Sequence, residues 1–549
     1  MTGVYDVIIV GNKKANRLHD NNLKPGQTAW LQGLDGDDRI FTEGPSNRID
    51  GGAGNDTIQS KGGLVFGDEG NDDIFAYGPA TVEIHDGSGN DNVKVNMCAG
   101  GSAIIIADVT DQLGNDTFTN LGAAGTAQLS YQNAIWGVTV NLATGVATGY
   151  EIGTDRIFNF SSVIGGSAGD ILTASNQGSM LNGASGNDAL IGGIGNDTLI
   201  GGDGNDYILG NGGNDLLSGG DGIDSIIAGS GSSTLSGGAG DDVLEAMSGV
   251  SHTLDGGDGD DVILLSAHIN ADVSDGEGND FIRLDTLNSE PLGSITVHNG
   301  GGSDQFIGGD GFETVYDGSG GDLFNVGKNG LIIALAEDDS GYVPGQLYVN
   351  DFFFGSADPL SFETVSYATA TKDIAIKNFS SVNSSEFGRD TIEEIDYIIL
   401  GSGNDYVTGS YSGSNRVDTG AGNDQVYMPG AKSIVTMGAG DDVFGGGSGD
   451  DEVDAGSGFN LVRGGGGRDI FGILTDASAE AGTTITIIQD FVDGSDRLRL
   501  GSGMTIEDFM NGVSGDDAIN DILYQTAEGD LFQILGLNFA NLDASDFVI

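Results

Sequence analysis

The sequence predicts an all-β chain, a parallel β-solenoid in which very short strands alternate with glycine-rich turns. Three observations lead there. Residues 183–246 repeat every nine positions, with Asp188, Asp197, Asp206, Asp215, Asp224 and Asp242 in one phase and Ser233 in the single gap. Two positions after each stands an aliphatic side chain: Leu190, Leu199, Ile208, Leu217, Ile226, Leu235 and Leu244. Of 549 residues, 98 are glycine and only 7 proline, so tight turns are easily made and few residues interrupt a ladder. A unit this short cannot bury its apolar residue alone, and stacked units form one continuous core.

Each unit divides into a turn and a strand. The turn glycines, Gly183, Gly192, Gly193, Gly195, Gly201, Gly202, Gly204, Gly213, Gly219, Gly220, Gly222, Gly237, Gly238 and Gly240, allow positive φ and bring backbone carbonyls close to a bound ion. The three residues that follow suffice for one short strand with one inward side chain. Two units make a flat coil of eighteen residues, which files Asp188, Asp206, Asp224 and Asp242 along one edge and Asp197 and Asp215 along the other. Coils stack about 4.8 Å apart. Calcium takes oxygens at roughly 2.3–2.6 Å, so one ion spans two stacked carboxylates, whereas magnesium demands a smaller, stricter octahedron.

The pattern G-G-x-G-x-D-x-U-x carried by these residues resembles the RTX family of secreted proteins, whose repeats bind calcium. The resemblance implies a right-handed β-roll, with the turn glycines and aspartates as calcium ligands and export through type I machinery. It also implies folding after export, because cytosolic calcium lies far below the dissociation constants of extracellular modules, roughly 10⁻⁴–10⁻³ M.

Composition agrees with a metal-dependent fold. With 82 acidic and 20 basic side chains the formal charge is −62, the wrong sign for nucleic acid or an anionic membrane surface. Without metal, carboxylates about 5 Å apart repel by roughly 1 kcal/mol per pair even in water, so much of the chain is expected to be disordered. Cys98 is the only cysteine, which excludes an internal disulfide, and it reads as a small buried hydrophobe. No run of 18 apolar residues is present, so no membrane-spanning helix is expected. Residues 1–20 lack the pattern of a secretory signal peptide, since basic residues follow the short apolar segment.

Taken in order, residues 1–30 form an N-terminal cap whose basic cluster, Lys13, Lys14, Arg17 and Lys24, could anchor acidic glycan. Residues 31–126 are an irregular calcium-binding β-helix carrying Asp38, Asp56, Asp72, Asp91 and Asp116, at spacings of 18, 16, 19 and 25, with ordinary loops on the other edge. Residues 127–182 are a hairpin-bearing segment repeated within 327–400. Tyr131 matches Tyr367, Val138 and Val140 match Ile374 and Ile376, and Asp155 matches Asp390. The main roll, 183–326, continues through Asp261, Asp280, Asp304, Glu313 and Asp322; His252 stands where an aspartate is expected and reads as a surface loop residue. A phase-breaking excursion follows from 327. The second roll, 401–472, carries Asp405, Asp424, Asp442, Asp451, Asn460 and Asp469, with Val407, Val426, Phe444, Val453, Val462 and Phe471 inward. Residues 473–549 are poorer in glycine and resemble the closing region of type I-exported RTX proteins, a C-terminal cap with an uncleaved signal.

No catalytic constellation emerges. There is no H-E-x-x-H, the five histidines are scattered, and the lone G-x-S-x-G at Ser167 leads into a glycine-aspartate turn rather than a helix. The chain therefore reads as a non-enzymatic, secreted, calcium-rigidified surface component, S-layer-like or matrix-forming, that self-associates into a lattice or filament. An adhesin binding cell-surface polysaccharide is the alternative, and a polysaccharide-active β-helix enzyme a more distant one. Ion sharing between neighbouring aspartates predicts roughly ten to twenty calcium ions.

Overall fold

The computed structural model describes residues 5–20, 26–107, 114–122, 125–266, 268–285, 293–309, 312–326, 331–333, 352–354, 364–377, 379–384, 390–393, 395–409, 414–430, 432–473, 484–492, 494–501 and short runs between 504 and 548. They form two units, Met1–Ala271 and Asp272–Ile549. Each unit is a parallel β-solenoid with two sheets facing one another across a thin apolar core.

The nonapeptide region of the first unit shows the construction plainly. One sheet stacks Ala189–Ile191, Tyr207–Leu209, Ser225–Ile227 and Val243–Ala246, aligning Leu190, Ile208, Ile226 and Leu244. The other stacks Thr198–Asp203, Leu216–Asp221 and Thr234–Ala239, aligning Leu199, Leu217 and Leu235. All seven aliphatic side chains are fully buried. The two sheets differ in a way the repeat does not announce. Strands of the first are three or four residues long, whereas those of the second run six, because pairing continues into the turn through Gly202, Gly220 and Gly238. These glycines have φ of 118°, 123° and 123°, and a side chain on any would collide with the carbonyl of the coil before it.

The N-terminal coils keep this register despite uneven spacing. Ile40, Ile58, Ile74, Val93 and Phe118 align in one sheet and are buried, the variable lengths being absorbed in the turns. Cys98 is exposed, contrary to the sequence reading. Met97 takes the last inward position of Asn92–Met97, and strand alternation turns the next side chain outward.

The duplicated segments build the same device. Val138–Asn141, Val146–Gly149 and Gly153–Phe158 form an antiparallel meander, and Val138–Asn141 also pairs in parallel with Ile171–Thr173. In the second unit Ile374–Lys377 pairs antiparallel with Ser381–Ser384 and parallel with Tyr406–Thr408. Tyr131 and Tyr367 are wholly buried, and their hydroxyls donate to Asp155 Oδ2 at 3.1 Å and Asp390 Oδ2 at 2.8 Å.

Most of the expected excursion lies outside the described residues. Its described parts stay within the stack: Leu331–Ile333 pairs on both sides, as does Phe352–Phe354, with Phe353 stacked 5.6 Å from Phe324. The second roll buries Val407, Val426, Phe444, Val453, Val462 and Phe471 as expected. Beyond residue 473, Ile485–Ile488 and Arg497–Leu500 extend the two sheets of this unit, and a meander of Val513–Asp516, Asp521–Gln525 and Leu531–Ile534 lies alongside.

Candidate metal-binding ladders

The aspartates form continuous files of hydrogen bonds. The backbone N–H of each donates to Oδ1 of the aspartate one coil later: Asp170 to Asp188 at 2.6 Å, then Asp188 to Asp206, Asp206 to Asp224, Asp224 to Asp242 and Asp242 to Asp261, each at 2.7 Å. The opposite edge runs Ser179 to Asp197 at 2.6 Å and Asp197 to Asp215 at 2.9 Å, then Asp215 to Ser233 Oγ and Ser233 to His252 Nδ1, both at 3.2 Å. The irregular coils obey the same rule from Asp38 through Asp56, Asp72, Asp91 and Asp116 to Asp155. In the second unit the files are Asp280, Asp304, Asp322; Asp405, Asp424, Asp442, Asn460; and Asp451, Asp469, Asp496.

Only one carboxylate oxygen is used in this way. Oδ2 of Asp38, Asp56, Asp72, Asp188, Asp206, Asp215, Asp224, Asp242, Asp405, Asp424 and Asp442 is buried and accepts no hydrogen bond. It points into the turn: a Cβ added to Gly183, Gly201, Gly219 or Gly237, five residues before, would collide with it and with the glycine carbonyl of the next coil. An unsatisfied buried acceptor costs about 1–3 kcal/mol, more when charged, and here the cost recurs coil after coil. Accordingly the carboxyls of Asp188 and Asp242 are pushed up to about 7, and those of Asp215 and Asp224 to about 6. Burial is the main cause and neighbouring aspartates add to it, against the stabilising N–H bond. Carboxylate oxygens facing backbone carbonyls form an all-oxygen, anionic donor set, which suits a hard divalent cation and lacks the sulfur or imidazole that softer metals prefer.

Several residues in the files escape the nonapeptide pattern. Asp155 lies in the meander strand Gly153–Phe158, Asp170 in the turn before Ile171–Thr173, and Asp496 follows the glycine-rich region. Asp170 could have been found, standing 18 residues before Asp188 in GGSAGD. His252 is buried within Ser251–Asp258, not on a surface loop, because its Nδ1 replaces the carboxylate as acceptor; burial lowers its pKa. A second file was missed altogether. Where an asparagine precedes the aspartate, its Oδ1 accepts from the N–H one coil later, as from Asn205 to Asn187 and from Ile223 to Asn205, with polarity opposite to the aspartate file. The recurrent Asn-Asp pair was its signal.

Other candidates resolve differently. Ser167 Oγ donates to the Ala134 carbonyl at 3.1 Å. Lys13 is paired with Asp35 at 2.8 Å, Arg17 lies over the Phe41 ring, and Lys24 falls outside the described residues.

The files make a mutational prediction. Asp206→Ala removes a buried carboxylate and the acceptor of the Asp188 N–H, so its calcium midpoint should rise several-fold, measured by circular dichroism during calcium titration. Ser233→Ala loses one neutral acceptor and should shift it less. Equal shifts would contradict the assignment of edges.

Comparison with known proteins supports this chemistry. The profile of the RTX calcium-binding nonapeptide repeat (4 copies) matches residues 29–63, 164–196, 182–217, 218–250, 253–267, 393–426, 438–453 and 445–471. The chain thus contains calcium-binding RTX repeats within a β-solenoid. The files extend beyond those matches, through Asp72, Asp91 and Asp116 and through Asp304 and Asp322. No curated protein matches the chain. Among solved structures, the extracellular lipase LipA from Serratia marcescens is similar at 13% identity over 49% of this chain, with a TM-score of 0.16. The aligned part spans 42% of that lipase, less than half its length.

Proposed function

We propose that the chain is a secreted protein that calcium folds and stiffens outside the cell, and that it serves as a non-enzymatic structural component of a cell surface or matrix. The observation that carries this reading is the set of buried, donorless Oδ2 atoms in successive coils, as at Asp188, Asp206, Asp224 and Asp242, which a cation would satisfy. Asp188, Asp206, Asp224 and Asp242 on one edge, and Asp197 and Asp215 on the other, would hold ions together with the turn carbonyls. Bound calcium supplies positive charge that cancels the repulsion between coils, so binding energy becomes folding energy. A stoichiometry of roughly ten to twenty ions follows if each is shared between neighbouring aspartates.

Self-association is the expected consequence of such a scaffold. Ile135, Trp136 and Tyr150 are 66%, 58% and 64% exposed beside the first meander, an apolar cluster suited to contact with a second copy. Negative-stain images of the purified chain in millimolar calcium should show sheets or filaments that disperse in EGTA. Uniform monomers at every calcium concentration would remove the structural reading. A glycan-binding reading has one observation in its favour, an open groove of about 750 Å³ in the first unit lined by Asp35, Phe66, Asp68, Glu69, His85 and Asn133. Retention of one sugar class on a glycan array, lost in Asp68→Ala, would favour it.

A further inference from the structure

In the regular turns the first motif position is glycine because a side chain there would strike Oδ2 of the aspartate at the sixth. Three turns break this rule in the same way. D-G-S-G-N-D at 86–91, D-G-E-G-N-D at 275–280 and D-G-S-G-G-D at 317–322 put an aspartate in the glycine's place. All three are buried, and among the described residues three carboxylates converge around the first two, Asp86 and Asp275. One carboxylate oxygen from each of Asp275, Asp280 and Asp304 lies within 4.8 Å of the others, and the same holds for Asp86, Asp91 and Asp116. Asp275 Oδ1 accepts from the N–H of Gly276 at 2.9 Å and of Gly300 at 2.6 Å, while its Oδ2 is buried with no donor.

The next coil shows what the fold does at this position without a charge. Asn299 occupies the same motif position, and its Nδ2 donates to Asp304 Oδ2 at 3.0 Å and Asp322 Oδ2 at 3.1 Å. An amide there ties two carboxylates together. A carboxylate there can donate nothing, so three acidic groups converge into an oxygen donor set that a cation would satisfy.

We propose that Asp275, Asp280 and Asp304, and likewise Asp86, Asp91 and Asp116, form two calcium sites of a second kind, which fill before the regular turns and start the ordering of each unit. The inference rests on the calcium reading above but adds an order of filling. Affinity in oxygen sites rises with the number of carboxylates, so these two should fill at calcium concentrations about tenfold or more below the remainder.

Calorimetric calcium titration of the full chain tests this. The native chain should show a tight class of two ions ahead of a larger weak class. D275N, which reproduces the Asn299 arrangement, should reduce the tight class to one ion and leave the weak class in place, and D86N/D275N should abolish it. D203N, on the exposed flank of a regular turn, removes the same charge and should change neither class. If D275N does not fold in saturating calcium by circular dichroism, D275G restores the regular glycine and should give the same loss. A native chain with only the weak class, or a tight class unchanged in D275N or D275G, overturns the proposal while leaving the general calcium reading intact. A native chain that binds no calcium overturns both.

Discussion

In excess EGTA at pH 8 the chain should lose most of its β-sheet circular dichroism, and its radius of gyration should rise toward about 90 Å, the value for an unfolded chain of this length. Calcium should reverse both changes. Stacked coils bring buried aspartates into files in which many Oδ2 atoms, including those of Asp188, Asp206, Asp224 and Asp242, have no donor, and a formal charge of −62 leaves almost no internal cation to compensate. Ion pairs among the described residues, such as Lys13 with Asp35, Arg48 with Asp50 and Arg468 with Asp450, use carboxylates outside the files. Hydrophobic burial alone offers one aliphatic side chain per nine residues in the nonapeptide region, with small glycines between. A compact, fully β-structured protein in chelator, measured by small-angle scattering and circular dichroism, would contradict this account.

Acid should partly replace calcium. Burial raises the carboxyls of Asp72, Asp188, Asp242, Asp405 and Asp442 to about 7, and those of Asp56, Asp215, Asp224, Asp261 and Asp469 to about 6. In the unfolded chain they titrate near 3.9. Between about pH 4 and 7 the metal-free folded state therefore binds more protons than the unfolded one, and its stability falls as pH rises. Each such carboxyl contributes about 1.4 kcal/mol per pH unit across its window. A protonated Oδ2 also becomes a donor to the turn carbonyls. In EGTA, lowering pH from 8 to 5 should restore β-signal. In calcium the dependence inverts, because the ion must displace those protons: the calcium midpoint should rise as pH falls below 7. The same sign of pH dependence with and without calcium would show that the carboxyls are not the sites.

The nonapeptide coils were the most legible part, because one residue in nine does one job. Leu190 to Leu244 pointed inward and Asp188 to Asp242 filed along an edge as period and parity required. Single residues were read less well where a neighbour set their environment. Cys98 was placed inside on composition, but Met97 had already taken the inward position. His252 was placed on the surface, although the Ser233 N–H needed an acceptor and the imidazole supplied it.

The amino-acid sequence by itself determined the coil: its length, its inward side chains, its acidic edges and its need for a hard cation, since all four follow from local spacing. Only the tertiary structure decided which carboxylate oxygen is left without a donor, that Asp155 and Asp496 join the files, and that Asp275 converges with Asp280 and Asp304 where Asn299 bridges instead. Those outcomes depend on which residue the next coil places opposite, a distance of sixteen to thirty-nine positions along the chain.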